Sequence, residues 1–322
     1  MYARRKKVIP WMCMLLLLMA CSRSPSPTSG GRSYEVLVTG PNRQAVATVA
    51  SALKDVKMPG LPQVESTFDV STLVRAELDQ GTRHARNIIL VSSDSTRLQQ
   101  TRVLYEQNVY ARPQTIIHID APSVAQLKTD IGTVIQTVND ELTRAEINNG
   151  IMNLRTHHNK EAAALVQQLF GCRLWVPEDL GKTKQGTDFV WFTNNESASM
   201  QNICVYRYAA NSIRRKQLLD KRDSIMRVNV KGEADSIYMT TVRESVMLRA
   251  RDEKDVSRLG VRGLWEMHGD AMGGPFVSVA LQSGDSVLCV EGFVYAPGKK
   301  KRNLVRRLEA SLYTLRLKDT SK

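Results

Sequence analysis

The sequence predicts an α+β protein of two domains, the second an antiparallel sheet covered by helices. Three observations carry this reading. The chain has 322 residues, about the length of two domains. Its 42% hydrophobic and 24% charged content is that of a globular chain, which excludes a disordered one. Strand-like runs bounded by glycine and proline alternate with stretches whose apolar residues recur every three to four positions. Collagen, coiled coil and polytopic membrane proteins are excluded, because no glycine period, no sustained heptads and no run of 18 apolar residues occur.

The first element is a leader over residues 1–20. Arg4, Arg5, Lys6 and Lys7 precede an apolar stretch from Val8 to Ala20 that is too short to span a bilayer and suits a signal-peptide core. It ends in Leu18-Met19-Ala20-Cys21, which resembles the bacterial lipobox. That resemblance implies cleavage after Ala20, a diacylglyceryl group on the Cys21 thiol and acylation, such as palmitate, on the new amine. Residues 21–33 follow as a tether of Ser, Pro, Gly and Arg with nothing to bury. As a flexible coil it spans roughly 20 Å. A lipid-anchored protein of the outer membrane is expected, facing the periplasm. The alternative is the cell surface, but no acidic run of the kind that resembles a surface-export signal follows Cys21.

Charge points to partners. Loss of residues 1–20 removes four basic residues and no acidic ones, which takes the formal charge from +13 to +9. A basic chain favours an anionic envelope component or an acidic envelope protein. The clusters Arg214–Lys216, Lys221-Arg222 and Lys299–Arg302 are expected mainly on the solvated surface. Nucleic acid is not expected as a partner of an exported protein. Of five cysteines, Cys172, Cys204 and Cys289 remain after processing and lipidation, each in a strand-like run, with one disulfide possible and its pairing open.

The first domain is expected over residues 34–170. A strand at Tyr34–Thr39 leads through Gly40-Pro41-Asn42 into a helix with Val46, Val49, Leu53 and Val56 on one face. Strands follow at Asn87–Ser92 and Gln114–Ile119. A long helix then carries Val124, Leu127, Ile131, Val134, Val138 and Leu142, with Gly150 as a point of breakage or weakness. A further register, Ala162, Leu165 and Leu169, closes at Gly171, well placed as a C-terminal cap.

The second domain is expected over residues 171–318. Strands are predicted at Cys172–Val176, Asp188–Thr193 and Ile203–Tyr208, then a polar helix over Ser212–Met226. Four more strands come near Ser245–Arg251, Gly263–Met267, Phe276–Leu281 and Ser286–Tyr295. A closing helix from Asn303 places Leu304, Leu308, Leu312 and Leu315 on one stripe. This element order resembles the PsbP-type fold.

Several segments carry a closer resemblance. They are Asp188–Trp191, Lys221–Ser224, Tyr238–Thr241, Arg262–Trp265, Gly269–Phe276 and Glu291–Pro297. Together they are similar to the Bacteroides-type lipoproteins grouped as domain of unknown function 4837, over about Tyr34 to Leu317. The resemblance implies an envelope lipoprotein and no known activity.

No catalytic set is nominated. Ser51 and Lys54 have the SxxK spacing of penicillin-interacting serine enzymes, but the companion SDN-like and KTG-like elements are absent and both residues fall off the apolar face. His84, His118, His157, His158 and His268 are scattered, without HExxH, so neither a metal nor another cofactor is expected. Gly40 between strand and helix is a weak anion-site pattern, and Pro41 removes one donor. The most distinctive chemistry is the turn-rich stretch Trp265–Phe276. The first reading of it is a tight hairpin that requires glycine, with its aromatics in the core, and the functional alternative is that Arg262, Trp265, Asp270, Met272, Phe276 and Tyr295 form an aromatic contact surface with an arginine rim. A non-catalytic binding module of the envelope is the expected function, and a hydrolase of cell-wall or lipid substrates is the alternative.

Overall fold

The computed structural model describes residues 26–94, 96–250 and 258–317. The expected cleavage and lipidation positions, Ala20 and Cys21, lie outside them. Among the described residues no helix is long and apolar enough to cross a membrane.

The first domain is a five-stranded sheet with two helices on one face. In chain order it comprises β1 (Glu35–Gly40), α1 (Arg43–Asp55), β2 (Asp69–Val74), β3 (Asn87–Ser93), β4 (Arg102–Gln107), β5 (Thr115–Ala121) and α2 (Val124–Thr156). The strand order is β2-β1-β3-β5-β4, parallel throughout except that β4 runs antiparallel to β5. Val36, Val38, Ile89, Val91, Ile117 and Ile119 meet Val46, Val49, Leu53, Leu127, Val138 and Leu142 of the helices. Asn42 caps α1 by accepting from the N–H groups of Gln44 and Ala45. The strands missed in the sequence, β2 and β4, are the two sheet edges. Edge strands bury little, and DVSTLV and RVLYEQ therefore lack a continuous apolar run.

The expected free tether is shorter than residues 21–33. Residues 27–30 are docked on the first domain: Arg112 N donates to Pro27 O, Ser29 N to Arg112 O and Gly30 N to His84 O, at 2.8–3.1 Å. Backbone groups alone make these contacts, so the Ser/Pro/Gly composition gave no sign of them.

The second domain begins one helix earlier than expected. Its elements are α3 (Lys160–Phe170), β6 (Cys172–Arg173), β7 (Lys182–Gly186), β8 (Phe189–Thr193), β9 (Met200–Ala209) and α4 (Arg215–Asn229). They continue as β10 (Tyr238–Ala250), β11 (Arg258–His268), β12 (Gly273–Ser283), β13 (Ser286–Tyr295), α5 (Arg302–Leu312) and β14 (Arg316–Leu317). Gly171 ends α3 at φ +65°, the left-handed cap expected of it. But Ala162, Val166 and Phe170 pack into the core of the second sheet, so the junction falls at residues 157–159 and not at Gly171. A helix's covalent neighbours do not reveal which sheet it will cover.

Seven strands form that sheet in the order β10-β11-β12-β13-β9-β8-β7, every pair antiparallel. Helices α3 and α5 cover one face and α4 the other. The α+β class and the helix-covered antiparallel sheet are as the sequence predicts. The strand expected over Cys172–Val176 is reduced to β6, which pairs with β14, while Leu174 and Val176 fill the core outside the sheet.

One helix joins the two domains. Gly292 of β13 leaves room for α5, since a Cβ there would sit 2.8 Å from the Cβ of Leu308. On the other side of α5, a Cβ on Gly150 of α2 would lie 3.0 Å from that of Ala310. Gly150 therefore neither breaks nor bends α2, which runs through it unbroken for 33 residues. It is the point where the helices of the two domains cross closely.

Candidate functional site: the cleft at the domain junction

A cleft of about 830 Å³ opens where β1 and β2 meet the segment leading into α5. The first domain contributes Glu35, Lys54, Val64, Glu65, Asp69, Arg86 and Asn87, and the second contributes Lys300 and Arg302. Clefts between domains are common ligand sites.

The charges of the wall are held in fixed pairs. Asp69, half-buried at the start of β2, accepts from Arg302 Nη2 at 2.6 Å and from Lys300 Nζ at 3.1 Å. Burial works against ionisation of this carboxyl, but the hydrogen bonds and positive charge of Arg302 and Lys300 outweigh it and hold Asp69 below the usual range. Arg302 also donates from Nη1 to Ser66 O at 2.9 Å. Glu65 accepts from the backbone of Lys301 at 2.7 Å and of Arg302 at 3.1 Å. Glu35, at the start of β1, lies below the usual carboxyl range because it accepts from the backbone and side chain of Arg32.

At the back of the cleft Arg86 makes a two-point pair with Glu146 of α2, at 2.7 and 3.0 Å. Asn87, 1% exposed, donates from Nδ2 to both Glu146 and the carbonyl of Glu35, while its Oδ1 has no hydrogen-bond partner. Together these groups make a rigid, water-accessible wall of alternating charge. Such a wall can hold a polar, charged group in one orientation.

The sequence pointed elsewhere. Of the six residues nominated for one contact surface, Trp265 is 2% and Phe276 1% exposed, and both are core, as the hairpin reading has it. Strand alternation sends Trp265 inward with Val261 and Met267. Gly274, paired with Trp265, leaves room for the indole, whose Nε1 donates to Val294 O at 3.3 Å. Tyr295 and Met272 pack at the margin of the same core, and Asp270 is exposed in the β11–β12 turn, where Gly269 has φ +82°. Arg262 is bound to Glu309 of α5. The six do not share one surface.

The other candidates separate in the same way. Ser51 and Lys54 are both exposed on α1. His118 contacts Glu106 at 3.1 Å, His158 stacks on Trp175 and His268 packs on Tyr238. Among the described residues no group of three or more His, Cys, Asp or Glu is placed to hold a metal. Cys172, Cys204 and Cys289 are buried free thiols.

Nor are the basic clusters all solvated. Lys301 is 4% and Arg302 3% exposed, and Arg222 of α4 is 2% exposed. The segments that carry the family resemblance meet around Arg222. Lys221–Ser224 supplies Arg222 itself, Tyr238–Thr241 supplies Thr241 at 2.7 Å, and Glu291–Pro297 supplies Glu291 at 2.7 and 2.9 Å. Phe276, from the Gly269–Phe276 segment, lies under the guanidinium at 4.1 Å. These segments build a polar knot inside the second domain.

Comparison with known proteins follows the same division. Residues 159–314 match the family model described as domain of unknown function (DUF4837). The second half of this chain is similar to the DUF4837 family. Residues 29–155 match a separate model, domain of unknown function (DUF8532), so the resemblance read from the motifs extends over the second half and a second family accounts for the first. The two models meet where α2 gives way to α3. No curated protein matches the chain. A crystal structure from Bacteroides thetaiotaomicron is similar at 14% identity and a TM-score of 0.28, over 47% of this chain and 46% of its own, so under half of either chain is spanned.

The cleft lies between the segments that match the two models. Sequence reasoning missed Glu65 and Asp69, which stand more than 230 positions from Lys301 and Arg302. The only legible signal was the basic run Lys299–Arg302, two of whose members line the cleft.

Proposed function

We propose that this chain is a membrane-tethered, non-catalytic binding module of the bacterial envelope that receives a polar partner in its interdomain cleft. The single observation carrying the binding part is the wall of that cleft, where seven ionisable side chains from both domains converge. Desolvating so many charges against an acyl chain is unfavourable, so a charged envelope component or an acidic envelope protein fits better than a lipid tail. The sequence Leu18-Met19-Ala20-Cys21 supports the anchor. With residues 27–30 docked, five residues separate Cys21 from Pro27, a span of roughly 12 Å as a coil. In this reading the body rides close to the membrane, at the periplasmic side of the outer membrane.

The test of binding places a photo-cross-linking residue at Val64, which is 82% exposed on the cleft wall. Illumination of intact envelopes should give a defined adduct. The Lys54→Glu variant should lose it while keeping its urea midpoint, because Lys54 is exposed. The same adducts with and without the substitution would overturn the reading, as would turnover of a cell-wall or lipid substrate by the purified protein. For the anchor, Cys21→Ser should release the protein from membranes. Ready digestion of the protein by protease added to intact cells would move it to the cell surface.

A further inference from the structure

Among the described residues no strand pairs with the outer side of the edge strand β4, which is apolar at its centre. Leu104 is 57% and Tyr105 54% exposed, and Arg102–Gln107 contains no proline, glycine or lysine of the kind that blunts a free edge. We propose that the chain pairs with a second copy of itself through β4, antiparallel, with the two Leu104 residues facing each other on a two-fold axis.

Backbone geometry selects this register. Asn108 N donates to Gln114 O, while Thr115 N points the other way and donates to Arg86 O. By alternation, the N–H and C=O groups of residues 103, 105 and 107 therefore point away from β5, out of the edge. A two-fold axis through Leu104 sets residue 103 opposite 105 and 101 opposite 107. Outward groups then meet outward groups, and every hydrogen bond of the new ladder has a partner.

The side chains agree with the same register. The sequence Arg102-Val103-Leu104-Tyr105-Glu106 is self-complementary about Leu104. On one face Leu104 meets Leu104, and Arg102 of each copy faces Glu106 of the other, twice by symmetry. On the face that carries the helices Val103 meets Tyr105, also twice, a favourable cross-strand pair. A shift of two residues would set these charges out of register. The edge is also clear of the second domain, which meets the first at β2, the opposite edge of the sheet, through Asp69, Lys300 and Arg302.

The test uses the purified full chain in density-matched detergent, followed by sedimentation equilibrium over a concentration series. The wild type should form a dimer. Arg102→Glu alone or Glu106→Arg alone sets like charges opposite each other and should weaken the dimer about tenfold, and the double reversal should restore it. Leu104→Cys should form an intermolecular disulfide on mild oxidation, because directly opposed residues of such a pair lie about 4.5 Å apart at Cα. Glu106→Cys should not, since its own copy lies about 14 Å away along the strand. A monomeric wild type with no Leu104→Cys cross-link would overturn the proposal, as would equal cross-linking at positions 104 and 106.

Discussion

Glu65 caps a helix that belongs to the other domain: its carboxylate accepts from the backbone N–H of Arg302, the first residue of α5, at 3.1 Å. Lys301, at the cap position itself, supplies no side-chain cap, and its own N–H goes to Glu65 as well. The first N–H groups of a helix have no partner within it, and the helix dipole favours an acid there. Glu65 thus links the domains and completes α5. Glu65→Ala should lower stability by about 1–2 kcal/mol. Urea unfolding measures this, and a midpoint equal to that of the wild type would show that water serves equally well.

The crossing of α2 and α5 depends on the absence of a side chain at Gly150. Gly150→Leu should cost about 2–3 kcal/mol, because the added atoms must displace Ala310 or part the helices. Gly150→Ala gains helix propensity but crowds Ala310, so the double variant Gly150→Ala, Ala310→Gly should be more stable than Gly150→Leu. Thermal unfolding of the three proteins decides it. Equal melting temperatures would mean that the crossing is not tight.

The Arg222–Glu291 pair predicts an asymmetric mutational response. Arg222→Met leaves a buried carboxylate without its partner and should cost about 3–5 kcal/mol. Replacing both, Arg222→Met with Glu291→Leu, should recover much of that loss, since no charge is then left in the core. Chemical denaturation of the single and double variants measures the coupling. A double variant less stable than Arg222→Met alone would mean that Thr241 and Phe276 need the guanidinium for themselves.

Asp69 predicts an acid-side pH dependence. Its carboxyl is held below the usual range in the folded protein, so its contribution is present above the unfolded value of about 4 and is lost as pH falls through the lower folded one. Asp69→Asn should be less stable than the wild type at neutral pH, and the two should converge as the acid is protonated. Urea midpoints from pH 7 down to pH 3 test this, and parallel curves would remove Asp69 from the junction.

The three cysteines of the body should be inert until the protein unfolds. Burial raises the Cys172 thiol to about 11 and pushes Cys204 and Cys289 up as well. A thiol reagent at pH 8 should react with them slowly in the native state and promptly in denaturant. Rapid labelling of the native protein would contradict their burial.

Much of the architecture was legible because local chemistry repeats it. Asn42 before α1, Gly171 after α3 and the leucine stripe of α5 each act through neighbours within one or two helical turns. The central strands of the second domain declare themselves by apolar runs because helices cover both of their faces. The edge strands β2 and β4 do not, since a half-buried strand needs no such run. Around Trp265 the hairpin reading held and the surface reading did not, for a related reason: aromatic residues beside glycines mark a hairpin, and only the pleat decides which of them point inward.

By itself the sequence determined the α+β class, the antiparallel second domain, the Leu18–Cys21 motif and the residues able to carry charge. Only the tertiary structure decided that residues 27–30 dock on the body, that α3 serves the second domain, and that Arg222 is buried while Lys54 is not. It also brought Glu65 and Asp69 to Lys301 and Arg302, forming the cleft. The physical reason is range. Helix caps and apolar periodicity act over a few residues and leave a trace in the sequence, whereas an ion pair joining positions 69 and 302 requires only that one carboxylate and one guanidinium exist somewhere in the chain.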